Sequence, residues 1–234
     1  NFNNKDKDKD KDKDKDKINF NEIDNDNIDD YNNFNDKRGT NLPEELKKIL
    51  GQIDLTYIIA EGKDGLYIID QHNAHERVLF DKFYKQYKDT SIRSQSLLLP
   101  VTLEVSLEEI EVIKKYNTKL KELGINIESF GGNSIIINEV PLVMKKRSSK
   151  KVMKELIDNL ITNGDTMNQA EIIKTIIMYM SCRSAIKAGK KLNYRDMEKL
   201  VYDLFETSNP YRCPHGRPVI IHITSEDINK GMGR

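Results

Sequence analysis

The chain has 234 residues, with 38 Lys/Arg against 38 Asp/Glu and a formal net charge of zero. That balance excludes the strong basic field of a protein that grips nucleic acid by charge alone, and no apolar run approaches the ~20 residues of a membrane helix. Two cysteines, Cys182 and Cys213, are too few for a disulfide scaffold and predict free or metal-bound thiols inside the cell.

Residues 1–38 carry 9 basic and 12 acidic side chains, a net of −3, which leaves +3 on the remainder. The alternating "KDKDKDKDKDKDK" and the Asn/Asp-rich stretch after it bury too little apolar surface to offset ordering entropy, so 1–41 reads as a disordered linker. The charged start has no apolar h-region, and no signal peptide is expected. "LPEELKKIL" predicts a short helix with Pro43 at its start. Thr56–Ala60 and Leu66–Asp70 predict a hairpin around "EGKDG". Val78, Leu79, Phe83 and Tyr87 lay an apolar stripe along a helix over 72–88. Gln95–Val105 reads as a strand whose Pro100 marks an edge or a bulge.

From Ser106 the pattern becomes helical. Ser106 and Glu109 form a capping box, and Gly124 closes the helix. Two strands surround "GGN" between Ile125 and Met144. Helices follow over 149–163 (capped by Ser149, ended by Gly164), about 168–188 and about 194–206, and "RPVIIHITS" is the last strand. The fold class is α+β with two lobes: 42–105 plus 181–234 in one, 106–180 inserted as the other.

Three stretches carry chemistry. In "DQHNAHE" a strand runs into a helix, so His72 and Glu76 stand at i and i+4 on one face with Asp70 just beneath. The plainer reading makes Asp70 a helix cap and the histidines surface groups. In "CPHGRP", Cys213 and His215 are two apart and share one side of an extended chain, while Gly216 permits a tight backbone approach. One Cys-x-His is half of a structural zinc site, and a four- or five-ligand site would need Asp70, His72 and Glu76 to complete it. Thiolate, imidazole and carboxylate together suit Zn²⁺, and the carboxylates alone suit Mn²⁺ or Mg²⁺. "SCRSAIKAG" contributes Cys182, Arg183 and Lys187, which on their own read as a buried small residue and two solvated cations.

Taken in order, Asp70-Gln71-His72-Asn73-Ala74-His75-Glu76, Ser181-Cys182-Arg183 and Cys213-Pro214-His215-Gly216-Arg217-Pro218 resemble the motifs of a known family, the C-terminal domain of the DNA mismatch-repair protein MutL in its endonuclease-bearing bacterial form. The resemblance covers about residues 46–230. Asn73, Asp81 and Ser181 depart from the family pattern of Ala, Glu and Ala, and Met232-Gly233-Arg234 is a weak match to its terminal F-x-R. It implies a homodimerising lobe that holds the metal site, an external regulatory lobe, and metal-dependent nicking of duplex DNA stimulated by the replicative sliding clamp. The implied ligands are Asp70, His72, Glu76, Cys213 and His215, with Asp70 and Glu76 catalytic and Gln71, Cys182, Arg183, Lys187 and Arg217 in support. Asp70, Glu76 and His215 are expected to hold catalytic Mn²⁺ or Mg²⁺, and Cys213 with His72 an organising Zn²⁺. Gln95, Leu97, Leu98 and Pro100 match a clamp-binding Q-x-L-L-x-P segment, an extended apolar anchor. Lys145, Lys146, Arg147, Lys150 and Lys151 form a basic run that could grip phosphates, although such a run is usually a solvated face. The resemblance further implies MutS as a partner, ATP acting only through an N-terminal module outside this sequence, and a bacterial cytoplasmic, nucleoid-associated setting. The rival is a non-catalytic dimerisation and docking module with a structural zinc site. A small-molecule zinc hydrolase has only the mixed ligands in its favour.

Overall fold

The computed structural model describes residues 42–89, 92–142, 144, 150–163 and 167–234. The expected linker 1–41, the Ser149 cap and Gly164 lie outside them. The architecture is α+β, as expected, with two antiparallel sheets. The first holds β1 (Leu46–Ile53), β2 (Tyr57–Gly62), β3 (Leu66–Asp70) and β7 (Ile220–Ile223) in the order β1-β2-β3-β7. The second holds β4 (Ser94–Glu104), β5 (Asn126–Ser129) and β6 (Ser134–Pro141) in the order β4-β6-β5. The helices are α1 (Gln71–Asp89), α2 (Leu107–Glu122), α3 (Lys150–Asn163), α4 (Gln169–Ser184), α5 (Tyr194–Phe205) and α6 (Ser225–Gly231).

The helix expected from Pro43 is instead β1, and this corrects the reading of "LPEELKKIL". Its helix-forming residues are overridden by pairing with β2, where Ile49 faces Ala60 and Gln52 faces Ile58. Lys47 and Lys48 both reach Glu61 across the strands. A three-residue connection, Asp54–Thr56, joins the strands around a tight turn in which Thr56 N–H donates to Ile53 O at 3.0 Å. Both central residues, Asp54 (φ 50°) and Leu55 (φ 48°), are left-handed, as the twist of a tight hairpin demands. Among the other elements, the Ser106–Glu109 capping box stands as expected, while α6, opened by Thr224 with Asp227, was not anticipated.

Register fixes which side of the first sheet is buried. Ile58, Ile69 and Ile220 are opposite one another and point inward. The alternate side carries Ile59, Ile68 and Ile221 in line, and its Ile53, Tyr57 and Ile221 are exposed. The main core lies around the second sheet, where Ile135, Ile137, Leu120, Leu156 and Ile176 pack with Leu79 and Phe83 of α1. Helix α1 therefore touches both regions: its C-terminal half enters that core, while its N-terminus issues directly from β3.

Candidate metal centre

The site is built where β3 becomes α1. Asp70 Oδ1 accepts the backbone N–H groups of His72 (2.9 Å) and Asn73 (3.0 Å), satisfying two donors that a helix start leaves orphaned. Gln71 is fully buried. Its Nε2 donates to the carbonyls of Leu55 (2.7 Å), Lys187 (3.0 Å) and Lys190 (3.1 Å), and its Oε1 accepts from Gln52 Nε2. His75, also buried, accepts the N–H of Ile186 at its Nδ1 (2.9 Å). The segment after Cys182 is thus tied to the first turn of α1.

One turn on, Glu76 is 1% exposed and stands at the centre of two groups of potential ligands. Glu76, His72 and Cys182 form one, and Glu76, Cys213 and His215 the other; within each, the ligand atoms lie within 4.8 Å of one another. His72 Nε2 is 3.2 Å from Glu76 Oε1, and His215 Nδ1 is 3.2 Å from Glu76 Oε2. His72 Nδ1 sits 2.7 Å from the carbonyl of Ile186. A carbonyl can only accept, so Nδ1 carries a proton, and Nε2 faces Glu76, able to donate to it when the ring is protonated or to offer a lone pair to a cation when it is neutral.

The electrostatics follow from this crowding. Burial pushes the Glu76 carboxyl upward, but the facing His72 ring and Cys182 thiol, with the field of His215, outweigh it and hold the group at about 2. Contact with Glu76 raises His72 against the effect of burial. Burial, then Glu76, pushes the Cys182 thiol up to about 11. Glu76 Oε1 is nonetheless buried without a hydrogen bond among the described residues. The His72 ring and the Cys182 thiol both face this carboxylate, as donors when protonated and as ligand atoms beside it when not, so the cluster could hold a divalent cation. The donor set fits such an ion: two thiols, two imidazoles and a carboxylate suit Zn²⁺.

The geometry regroups the expected ligands. Cys213 lies with His215 rather than with His72, and Cys182, expected only in support, joins His72. Asp70 caps α1 and belongs to neither group. Gly216 has a left-handed φ of 81° with open space where a Cβ would stand, so it serves the turn and not a tight approach. Arg183 turns away to pair with Glu155 over the Tyr179 ring. Lys187 and Arg217 are exposed, and the Lys187 charge is felt at both His72 and Cys182. In β4, Leu97 packs on the core, whereas Leu98 and Leu99 are 96% and 82% exposed where pairing with β6 breaks between Ser96 and Val101. Lys150 and Lys151 are exposed at the start of α3; Lys145, Lys146 and Arg147 lie outside the described residues.

A sheet-to-helix junction carrying two ligand groups around one buried carboxylate defines a candidate metal-binding α+β domain. Residues 50–192 match the family model described as the MutL C-terminal dimerisation domain, and the chain belongs to that family. Relatives named DNA mismatch repair protein MutL are 52% identical over 91% of the chain (Halothermothrix orenii), 41% over 80% (Clostridium tetani) and 42% over 78% (Macrococcus caseolyticus). The chain covers 33%, 30% and 29% of their respective lengths. No described helix is long and apolar enough to cross a membrane.

Proposed function

We propose that this domain acts in DNA mismatch repair as a homodimeric, metal-dependent nicking endonuclease. The observation that carries the reading is the buried Glu76 carboxylate shared by two groups of potential ligands, with one oxygen lacking a formed hydrogen bond among the described residues. His72, Glu76 and Cys182 would hold one ion, and Glu76, Cys213 and His215 a second. A bound divalent cation supplies an acidified water and neutralises charge building on the phosphodiester oxygens. The chain's own groups do the rest. Ile186 O fixes the His72 tautomer, Gln71 and His75 anchor the 186–190 segment, and exposed Lys187 and Arg217 offer charge to flanking phosphates. Zn²⁺ suits the thiolate positions, and Mn²⁺ or Mg²⁺ the catalytic role.

Partners follow from the surface. The exposed apolar side of the first sheet, with Ile53, Tyr57 and Ile221, pairs with a second copy. Within the expected segment of Gln95, Leu97, Leu98 and Pro100, Leu98 stands out of β4, joined by the neighbouring Leu99, as an anchor for an apolar groove on the sliding clamp, whose hold on DNA would raise effective concentration for a weakly charged domain. Duplex DNA is the substrate, MutS a further partner, and the basic run at Lys150 and Lys151 a secondary phosphate contact.

The rival, a non-catalytic dimerisation module with structural zinc, gains from Asp70 being engaged as a cap. Nicking of supercoiled plasmid in Mn²⁺ separates the two. The parent should nick, and a metal-loaded dimer that never does would favour the rival. Asp70→Asn refines the answer, because Asn caps a helix about as well as Asp. Retained nicking assigns Asp70 to the cap, and lost nicking with an intact dimer assigns its charge to the chemistry.

A further inference from the structure

One face of α1 has no part in either ligand group yet is fully engaged. Asn73, Arg77 and Asp81 stand at i, i+4 and i+8, a single stripe about 12 Å long at 1.5 Å per residue. Each holds a different backbone group of the segment that delivers Cys213 and His215. Asn73 Nδ2 donates to Pro218 O at 3.1 Å. Arg77 Nε donates to Arg212 O at 2.8 Å. Asp81 Oδ2 accepts from Ser208 N at 2.6 Å. Asp81 Oδ1 also accepts from Arg77 Nη1 at 3.0 Å, which links two of the three.

The held segment is a self-contained turn. Cys213 N–H donates to Arg217 O and Gly216 N–H to Cys213 O, both at 2.9 Å, and Arg212 Nη1 donates to Gly216 O at 2.9 Å. These bonds fix the shape of the turn but not its place against α1. Asp70 N–H holds Val219 O at 2.9 Å where the segment runs into β7; the three stripe contacts hold the rest of it, and they run antiparallel to the helix from Pro218 at the first turn to Ser208 at the third. The neighbouring stripe presents His72 and Glu76. A small slide of the turn would therefore carry Cys213 and His215 away from Glu76 while leaving His72 and Cys182 untouched.

We propose that Asn73, Arg77 and Asp81 are positioning residues that set the Cys213–His215 turn against Glu76, so that Asp81 acts through backbone and not as a metal ligand. The meaning for metal affinity rests on the metal reading above; the positioning itself does not. Two departures from the family motif, Asn73 and Asp81, are members of this stripe, so in this chain the turn is set by its own combination of contacts.

The test uses thiol labelling of the metal-free chain, with Cys182 as internal reference. Cys213 is 1% exposed and labels only when its turn opens. Asp81→Ala removes a hydrogen bond to a charged acceptor and the Arg77 pair, so Cys213 labelling should rise ~10-fold or more, with Cys182 unchanged. Asp81→Glu should restore the slow rate, and Asn73→Ala should have a smaller effect in the same direction. No selective acceleration of Cys213, or equal acceleration of both thiols, would overturn the proposal. A second arm follows thiolate-to-Co²⁺ charge-transfer absorption in a Cys182→Ser background, where Asp81→Ala should weaken Co²⁺ binding and Asp81→Glu recover it. Unchanged affinity there would also overturn it. If the parent gives no such absorption, the metal reading fails, and the labelling result still decides the positioning.

Discussion

The second sheet and the β3–α1 junction are stabilised in opposite ways. Around the second sheet the buried residues are almost all aliphatic, and Leu120, Leu123, Ile125, Ile137 and Ile176 are each fully enclosed. Around the junction the buried groups are polar: Gln71, Asn73, His75, Glu76 and Ser181 account for five of the eight buried polar residues among the described residues. Apolar packing is non-directional and tolerates small shifts. Buried polar groups demand defined partners at defined distances, which makes them suited to placing ligand atoms. The apolar core and the polar candidate site thus occupy different regions, with α1 bridging them.

That division can be broken first in the core. Leu120→Ala should cost about 2–5 kcal/mol in urea unfolding, while the folded fraction keeps its Co²⁺ affinity. A parallel loss of metal binding would show that the two regions are not separable. Next comes pH. The folded Glu76 pKa of about 2 lies below its ordinary 4.5, so its stabilising contribution is complete above about pH 5 and lost as pH falls through 2. In the metal-free chain the parent should lose roughly 3 kcal/mol relative to Glu76→Gln over that window. Parallel acid-unfolding curves for the two would contradict the assignment. Gln71→Ala, which strips three carbonyls of one donor, should cost about 1–3 kcal/mol and speed amide exchange at residues 186–190 before other segments. The smallest stability effect belongs to Leu98→Ser with Leu99→Ser, below about 0.5 kcal/mol because both are already in water. The same pair should abolish binding to the sliding clamp, and unchanged binding would remove that surface from the account.

Where local signals and tertiary demands agree, the sequence was sufficient. The Ser106 capping box, the "DQH" strand-to-helix junction and the β4 irregularity at Pro100 were all legible. β1 was not, because Glu44, Glu45, Lys47 and Lys48 favour a helix in isolation and only the partner strand β2 decides otherwise. Helix α6 is short, and its Thr224–Asp227 cap uses an Asp where the usual signature has Glu or Gln. At the candidate site, the residue types that could hold a metal were readable, but which of them lie side by side was not. Cys182 is 106 residues from Glu76 and reaches it only because Gln71, His72 and His75 anchor the segment beyond it to α1. Asp70 was legible as a helix cap, and its Oδ1 accepts two N–H groups of the first turn, a role compatible with ligation by the other oxygen.

Glu76 is the group on which the account turns, and one paired measurement tests it. Parent and Glu76→Gln should be compared for metal binding and for Mn²⁺-dependent nicking of supercoiled plasmid, with circular dichroism confirming the fold. The parent should bind metal and nick, and the variant should stay folded but lose both. A folded Glu76→Gln protein that still nicks at the parent's rate would contradict it.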